Sequence, residues 1–296
     1  MKWWQITTIV VVFVLAGAYV GLSIHLGNIA TRVERVPVEE SPGDLGLDYE
    51  DVEFTSYDNA LTLRGWYLPA KDSDGIIIMV QGGESHRADP SIGMLDIAAA
   101  LVEHDYHVLM FDLRGHGESD GKRMSAGYFE KNDLLGAIEY SKDRGFERIG
   151  VLGFSMGGAT ALMTGAESSD IDCIVSDSAY TDLADIMGRE FKARSGFPEF
   201  FLSPVLTMVN LIYDVDFRDI KPVEAVPQIS PRPIFFIHGA EDTFVPTEHV
   251  HRLAEASANS RNELWIAPGA EHVRSYMTNP DEYISKITGF FNAVLR

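Results

Sequence analysis

A serine hydroxyl is a poor nucleophile until a base takes its proton, and Ser155 sits where such activation is built. It is the centre of Gly153-Phe154-Ser155-Met156-Gly157, a G-x-S-x-G pentapeptide. The residues before it, from Arg148, form a short apolar run of strand type, and those after it, to Gly165, form a helix of small residues. A strand that becomes a helix within two residues pushes the side chain at the turn outward on a strained backbone. The flanking glycines let strand and helix close together. Taken alone the pentapeptide is also what a glycine-rich turn would look like, so the base and the acid have to be found.

Nine histidines compete for the role of base. His25 lies in an apolar amino-terminal run, His104 and His107 flank a strand start, and His249 and His251 lie on a helix that begins near Thr247. His116 follows the fourth strand, and His238 ends a strand and could approach the site, although Gly239 after it reads as a packing turn. His272, in Pro268-Gly-Ala-Glu-His272, directly follows the last strand. In a parallel sheet that loop emerges on the carboxyl edge, as does Ser155, and His272 is the expected base. The acid that orients it is expected to be Asp242, in the loop after the preceding strand, which gives the order Ser, Asp, His. Glu241 and Asp177 are the rival carboxylates on that edge. An oxyanion needs two fixed donors. The Met156 N–H at the helix start supplies one, and the loop Gln81-Gly82-Gly83-Glu84 supplies the other, with Gly83 as the expected donor.

These residues need a scaffold that brings strand ends to one rim. Val52–Tyr57 and Leu61–Leu68 alternate around Asp58-Asn59, a turn signal. Ile76–Val80 is continuously apolar, as a strand buried on both faces should be. A helix over Ile92–Glu103, a strand over Tyr106–Phe111, a helix over Tyr128–Lys142 and a strand over Ile171–Val175 follow. Pro233–Ile237 and Glu263–Ile266 read as strands, and a last helix from Pro280 to Leu295 carries Asn279 and Glu282 as a capping box. Strands alternating with helices predict an α/β fold, a mostly parallel central sheet with helices on both faces. The stretch 180–231 breaks the alternation. Its bulky segment Phe197–Tyr213 reads equally as a core helix and as a helical lid insertion over the substrate pocket.

Residues 1–30 are expected to form a transmembrane anchor. Lys2, Trp3 and Trp4 precede an apolar run from Ile6 to Leu26, about 20 residues and enough for one crossing. Ala16-Gly17-Ala18 allows a cleaved signal sequence instead, although the apolar run continues beyond it. Residues 31–48 read as a polar linker and 49–296 as the catalytic domain. Forty-four acidic against twenty-four basic residues give a charge of −20, which argues against nucleic acid as a partner. Cys173 is the only cysteine, so there is neither a disulfide framework nor a thiol metal site.

Gly153–Gly158, Asp112-Leu-Arg-Gly-His-Gly-Glu-Ser119, His238-Gly-Ala-Glu-Asp-Thr-Phe-Val-Pro246 and Gly269-Ala-Glu-His272 together resemble the α/β-hydrolase superfamily from about Val52 onward. They look most like its serine aminopeptidase-like and prolyl oligopeptidase-like members, some of which carry an amino-terminal anchor. The resemblance implies Ser155 as nucleophile, Asp242 as acid, His272 as base and a structural role for Asp112–Ser119. Where the family usually has His-Gly after the third strand, this chain has Gln81-Gly82. The expectation is a single-pass membrane-anchored serine hydrolase that cleaves a small-molecule acyl ester or thioester without metal or organic cofactor. A peptidase or amidase on the same triad, and a non-catalytic receptor or scaffold, are the alternatives.

Overall fold

The computed structural model describes residues 1–71 and 74–296. The strands are β1 (Glu50–Thr55), β2 (Thr62–Leu68), β3 (Gly75–Val80), β4 (His107–Phe111), β5 (Arg148–Phe154), β6 (Cys173–Asp177), β7 (Ile234–Gly239) and β8 (Glu263–Ala267). They form one eight-stranded sheet in the order β1-β2-β4-β3-β5-β6-β7-β8. β1 and β2 pair antiparallel at one edge, and β2 meets β4 antiparallel. Every pairing from β4 across to β8 is parallel, so the carboxyl ends of β3 and β5 to β8 share one rim.

Helices α1 (Trp3–Thr31), α2 (Met94–Glu103), α3 (Glu130–Asp143), α4 (Met156–Glu167), α5 (Leu183–Ser195), α6 (Leu202–Tyr213), α7 (Pro222–Ala225), α8 (Glu248–Ala256), α9 (Ser275–Thr278) and α10 (Pro280–Leu295) complete the chain. The period-2 side chains of β3 divide between two cores. Ile76, Ile78 and Val80 face a cluster that includes residues of α3, α4 and α8. Ile77 and Met79 face another that includes residues of α2 and α10. Helices therefore cover both faces, as the unbroken apolar run of β3 requires.

Two local expectations shift. The sixth strand runs Cys173–Asp177 rather than Ile171–Val175, because Asp172 spends its carboxylate on the Ile149 N–H at 2.8 Å and the regular ladder begins after it. The α10 capping box does not form. The short turn α9 runs into Asn279, whose side-chain amide donates to Pro268 O at 3.1 Å instead of capping α10.

The stretch 180–231 holds α5, α6 and α7. Val205, Leu206 and Val209 of α6 are buried in the same cluster as Met156 of α4. Leu211 (72%) and Ile212 (46%) on the same helix, and Phe200 (64%) just before it, stay exposed. α6 thus has one face in the core and one outward. α1 packs against α6 and its surroundings through a buried stripe, Ser23, Gly27 and Thr31, spaced four residues apart. A Cβ on Gly27 would stand 3.0 Å from Val209 Cγ2, so glycine sets how closely α1 approaches α6. The Tyr19 hydroxyl donates to Phe200 O at 3.1 Å. The first half of α1 is exposed, and the helix is long and apolar enough to cross a membrane.

Beyond α1 the chain stays against the body. Thr31 and Val33 pair with 122–124 through Met124 N–H to Thr31 O at 2.9 Å and Val33 N–H to Lys122 O at 3.3 Å. Arg35 donates to the carbonyls of His116, Gly117, Ser119 and Gly121 at 2.5–3.3 Å.

Candidate active site

Close packing of three backbones makes the turn at Ser155. A Cβ on Gly153 would lie 2.4 Å from Gly157 O, and one on Gly157 would lie 2.3 Å from the carbonyl oxygens of both Val80 and Gln81. Only glycine lets α4 start this close to the ends of β5 and β3. Ser155 itself takes φ 50°, ψ −113°, a strained conformation for a residue with a side chain. Its N–H donates to Asp177 O at 2.8 Å, which ties the turn to the end of β6.

The loop after β8 brings His272 to this turn. His272 Nε2 stands 2.9 Å from Ser155 Oγ, and His272 Nδ1 stands 2.7 Å from Asp242 Oδ2. Beside a carboxylate, Nδ1 carries the proton, which leaves Nε2 as the acceptor for the serine hydroxyl. Asp242 is held from its other oxygen, which accepts the N–H groups of Phe244 at 3.0 Å and Val245 at 2.8 Å. The Phe244 ring meets the imidazole edge-on, with centroids 4.9 Å apart. Of the rival carboxylates, Glu241 is exposed and Asp177 turns into the interior.

Neighbouring residues brace this arrangement. His238 is fully buried beneath Asp242, with Nε2 2.7 Å from Val245 O and 3.3 Å from Asp242 Oδ2. Since a carbonyl only accepts, that nitrogen carries hydrogen and also points a donor toward the carboxylate. Burial lowers the pKa of His238, so the ring stays neutral. Ser178, at φ 58°, donates its hydroxyl to Asp177 Oδ1 at 2.9 Å and accepts the Val273 N–H at 3.2 Å. Val273, next to the base, is held at φ 52°, an outlier for a β-branched residue. Burial pushes the Asp177 carboxyl up to about 6. Asp177 therefore holds Ser155 through its backbone and the His272 loop through Ser178. Its place at the end of β6 was legible, but its inward side chain was not.

Met156 opens α4, where the first N–H groups have no partner within the helix. The Gln81–Glu84 loop lies against it: a Cβ on Gly82 would be 3.6 Å from Ser155 Cβ, and one on Gly83 would be 3.7 Å from Met156 Sδ. Among the described residues neither the Met156 nor the Gly83 N–H donates to a backbone carbonyl. Gln81 is fully buried and donates Nε2 to Ser85 O at 3.1 Å, which closes the loop on itself. A cavity of 470 Å³ opens on the far side of this loop, and Glu84, His86, Asp89, Glu39 and Glu40 are among its lining residues. The Asp112–Ser119 turn stands apart from the triad residues: Asp112 is fully buried, pairs with Arg87 and accepts the Glu118 N–H at 2.9 Å.

A parallel sheet whose strand ends present a serine on a tight strand-to-helix turn beside a histidine and a carboxylate is the architecture of the α/β-hydrolases. The family model for serine aminopeptidase, S33, matches residues 71–209. The solved structure of a Pyrococcus furiosus esterase is 32% identical, with 90% of this chain and 99% of that one covered at a TM-score of 0.77. Bacillus subtilis YqkD, a protein of uncharacterised function, is 28% identical over 235 residues, which cover 78% of this chain and 75% of YqkD. Human protein ABHD12B is 29% identical over 225 residues, which cover 70% of this chain and 58% of that protein. The chain belongs to the α/β-hydrolases. Membership and the esterase neighbour support hydrolysis of a small molecule as its activity.

Proposed function

We propose that the chain is a membrane-anchored serine esterase or thioesterase that works through an acyl-enzyme. The observation that carries the reading is the single imidazole standing 2.9 Å from Ser155 Oγ on one side and 2.7 Å from Asp242 Oδ2 on the other. His272 Nε2 takes the Ser155 proton as Oγ attacks the acyl carbonyl, and Asp242 stabilises the imidazolium. The Met156 N–H and the Gly83 N–H hold the oxyanion. His272 then returns the proton to the departing alcohol or thiol, and a water activated by the same imidazole releases the acid. His238 and the two backbone donors keep Asp242 aimed at His272.

The preference for acyl esters follows the apolar segment Phe197–Tyr213 and the esterase neighbour, and the anchor follows the exposed apolar half of α1. Labelling by a fluorophosphonate probe tests the nucleophile. Wild type is expected to label and Ser155→Ala is not, and equal labelling of the two sinks the assignment.

One observation favours the peptidase reading: carboxylates line the 470 Å³ cavity beside the oxyanion loop, and such a lining suits the ammonium group of a peptide amino terminus. A panel of acyl esters and aminoacyl amides separates the two. Amide turnover without ester turnover would overturn the preference.

A further inference from the structure

α1 has 29 residues, so at 1.5 Å per residue it is about 43 Å long, close to the ~40–45 Å of a bilayer with its headgroup layers. With Trp3 and Trp4 in one headgroup layer, Thr31 and Arg32 fall in the other, and α6, which packs on Ser23 and Gly27, enters the lipid beside α1 with its exposed Leu211 and Ile212 and the preceding Phe200. The residues that pair with this foot come from far along the chain. Arg32 bridges Arg123 in an antiparallel pair, and Lys122 and Met124 bond to either side of it. Four cations, Arg32, Arg35, Lys122 and Arg123, are thereby gathered at the foot of α1 in a chain of net charge −20.

None of the four makes an ion pair with a carboxylate among the described residues. Arg123 gives two of its N–H groups to neutral acceptors, Thr31 Oγ1 at 2.7 Å and Asn28 Oδ1 at 2.8 Å. Its guanidinium lies flat on the Tyr213 ring, 3.9 Å from the centroid. Arg35 is spent on backbone carbonyls. Lys122 and Arg32 are exposed. A 290 Å³ cavity opens between these groups, walled by Thr31, Lys122, Arg123 and Tyr213, with Arg114 behind them. Arg114 is already matched to Asp133 by a bidentate pair, with its shortest contact 2.7 Å, so the cavity's uncompensated charge comes from Lys122 and Arg123. An oriented guanidinium beside a free ammonium is the donor set that takes a phosphate.

We propose that this cavity binds the phosphate of an anionic phospholipid headgroup, so that the body is fixed to the bilayer at a second point besides α1. The inference rests on the membrane reading of α1 and not on the hydrolytic chemistry. Juxtamembrane cations are drawn to an anionic leaflet, and the cavity adds a defined phosphate position to that attraction.

The test uses the full chain in vesicles of phosphatidylcholine alone, of phosphatidylcholine with added phosphatidylglycerol, and of phosphatidylcholine with free glycerol phosphate in the buffer. Acylation of Lys122 by an amine-reactive ester is followed by peptide mass spectrometry, with Lys142, which pairs with Asp170, as reference. Phosphatidylglycerol is expected to slow Lys122 labelling several-fold and leave Lys142 unchanged. Arg123→Gln is expected to abolish that protection, and the exposed Arg32→Gln to weaken it without disturbing the fold. Equal protection by free glycerol phosphate overturns the lipid source, and no protection, or equal slowing at Lys142, overturns the site. Flotation separates the two readings. A chain that fails to float with phosphatidylcholine vesicles refutes the anchor, whereas one that floats but shows no lipid-dependent protection refutes the headgroup site alone.

Discussion

The corner where β5 turns into α4 and the foot of α1 are both places where distant segments meet, but they are held in different ways. At the corner, main-chain atoms touch main-chain atoms. Gly157 lies against two carbonyls, and Ser155 is tied by its own N–H to Asp177 O. At the foot of α1, side chains do most of the joining: Val209 against Gly27, Arg123 against Thr31 and Asn28, Tyr19 against Phe200. Backbone contacts leave no room for adjustment, whereas side chains can repack. The corner should therefore be intolerant of change and the foot forgiving.

The largest expected effect tests the chemistry of the corner. His272→Ala should lower kcat/KM toward an aryl ester by about 10⁴-fold or more, as loss of a triad base does elsewhere, while Arg32→Gln stays within a few-fold of wild type. Comparable losses in the two variants would erase the contrast.

Gly157→Ala comes next. Ordinary overpacking costs about 1–3 kcal/mol, and here the obstacle is two carbonyls that cannot rotate away, so the urea midpoint should fall by at least that equivalent. An unchanged midpoint would show that the corner can give.

Asp177 sharpens the comparison through pH. Its carboxyl is raised from 3.8 to about 6 by burial, so the folded state holds a proton that the unfolded state has released between those values. Stability then falls as pH rises through that window, by roughly 3 kcal/mol in all, and is flat above it. Melting temperatures of wild type relative to Asp177→Asn should decline from pH 4 to pH 6 and then level off. A constant difference across pH 4–8 would mean that the carboxyl is not strained by its burial.

The smallest effect belongs to the foot. Gly27→Val places a side chain where Val209 Cγ2 stands only 3.0 Å from the Cβ position, yet that methyl can move, so a loss of about 1 kcal/mol is expected with esterase activity retained. Thermal melting in detergent, beside an activity assay, reads both.

This difference also decides what the sequence made legible. The positions of Ser155, His272 and Asp242 followed from strand ends on a shared rim, because a parallel sheet orders its loops without reference to side-chain detail. The sheet and its two faces followed from the apolar run of β3 in the same way. His238 was placed near the rim by its strand, but nothing in His-Gly reveals a ring folded back under Asp242. The bond from Ser178 to Val273 depends on two left-handed residues that no local preference announces. Nothing in the sequence marked Gly27, just past the apolar run Ile6–Leu26, since its meaning lies in α6, about 180 positions away. Asn279 and Glu282 had the pattern of a cap, but the turn before them took the amide for Pro268. Periodicity reports what a segment needs from its surroundings, and the partner that meets the need is chosen by the rest of the fold.

Arg35 bears on how such an enzyme would meet its substrate. A chain leaving a bilayer through a slack connector lets the attached body tumble and sample a large volume. Here the guanidinium clasps four carbonyls of the loop after β4 within a few residues of the last turn of α1. With α1 embedded as proposed, the rim that carries Ser155 keeps one height and one tilt above the lipid. Turnover would then follow how densely substrate populates the surface rather than how much is dissolved in the surrounding water.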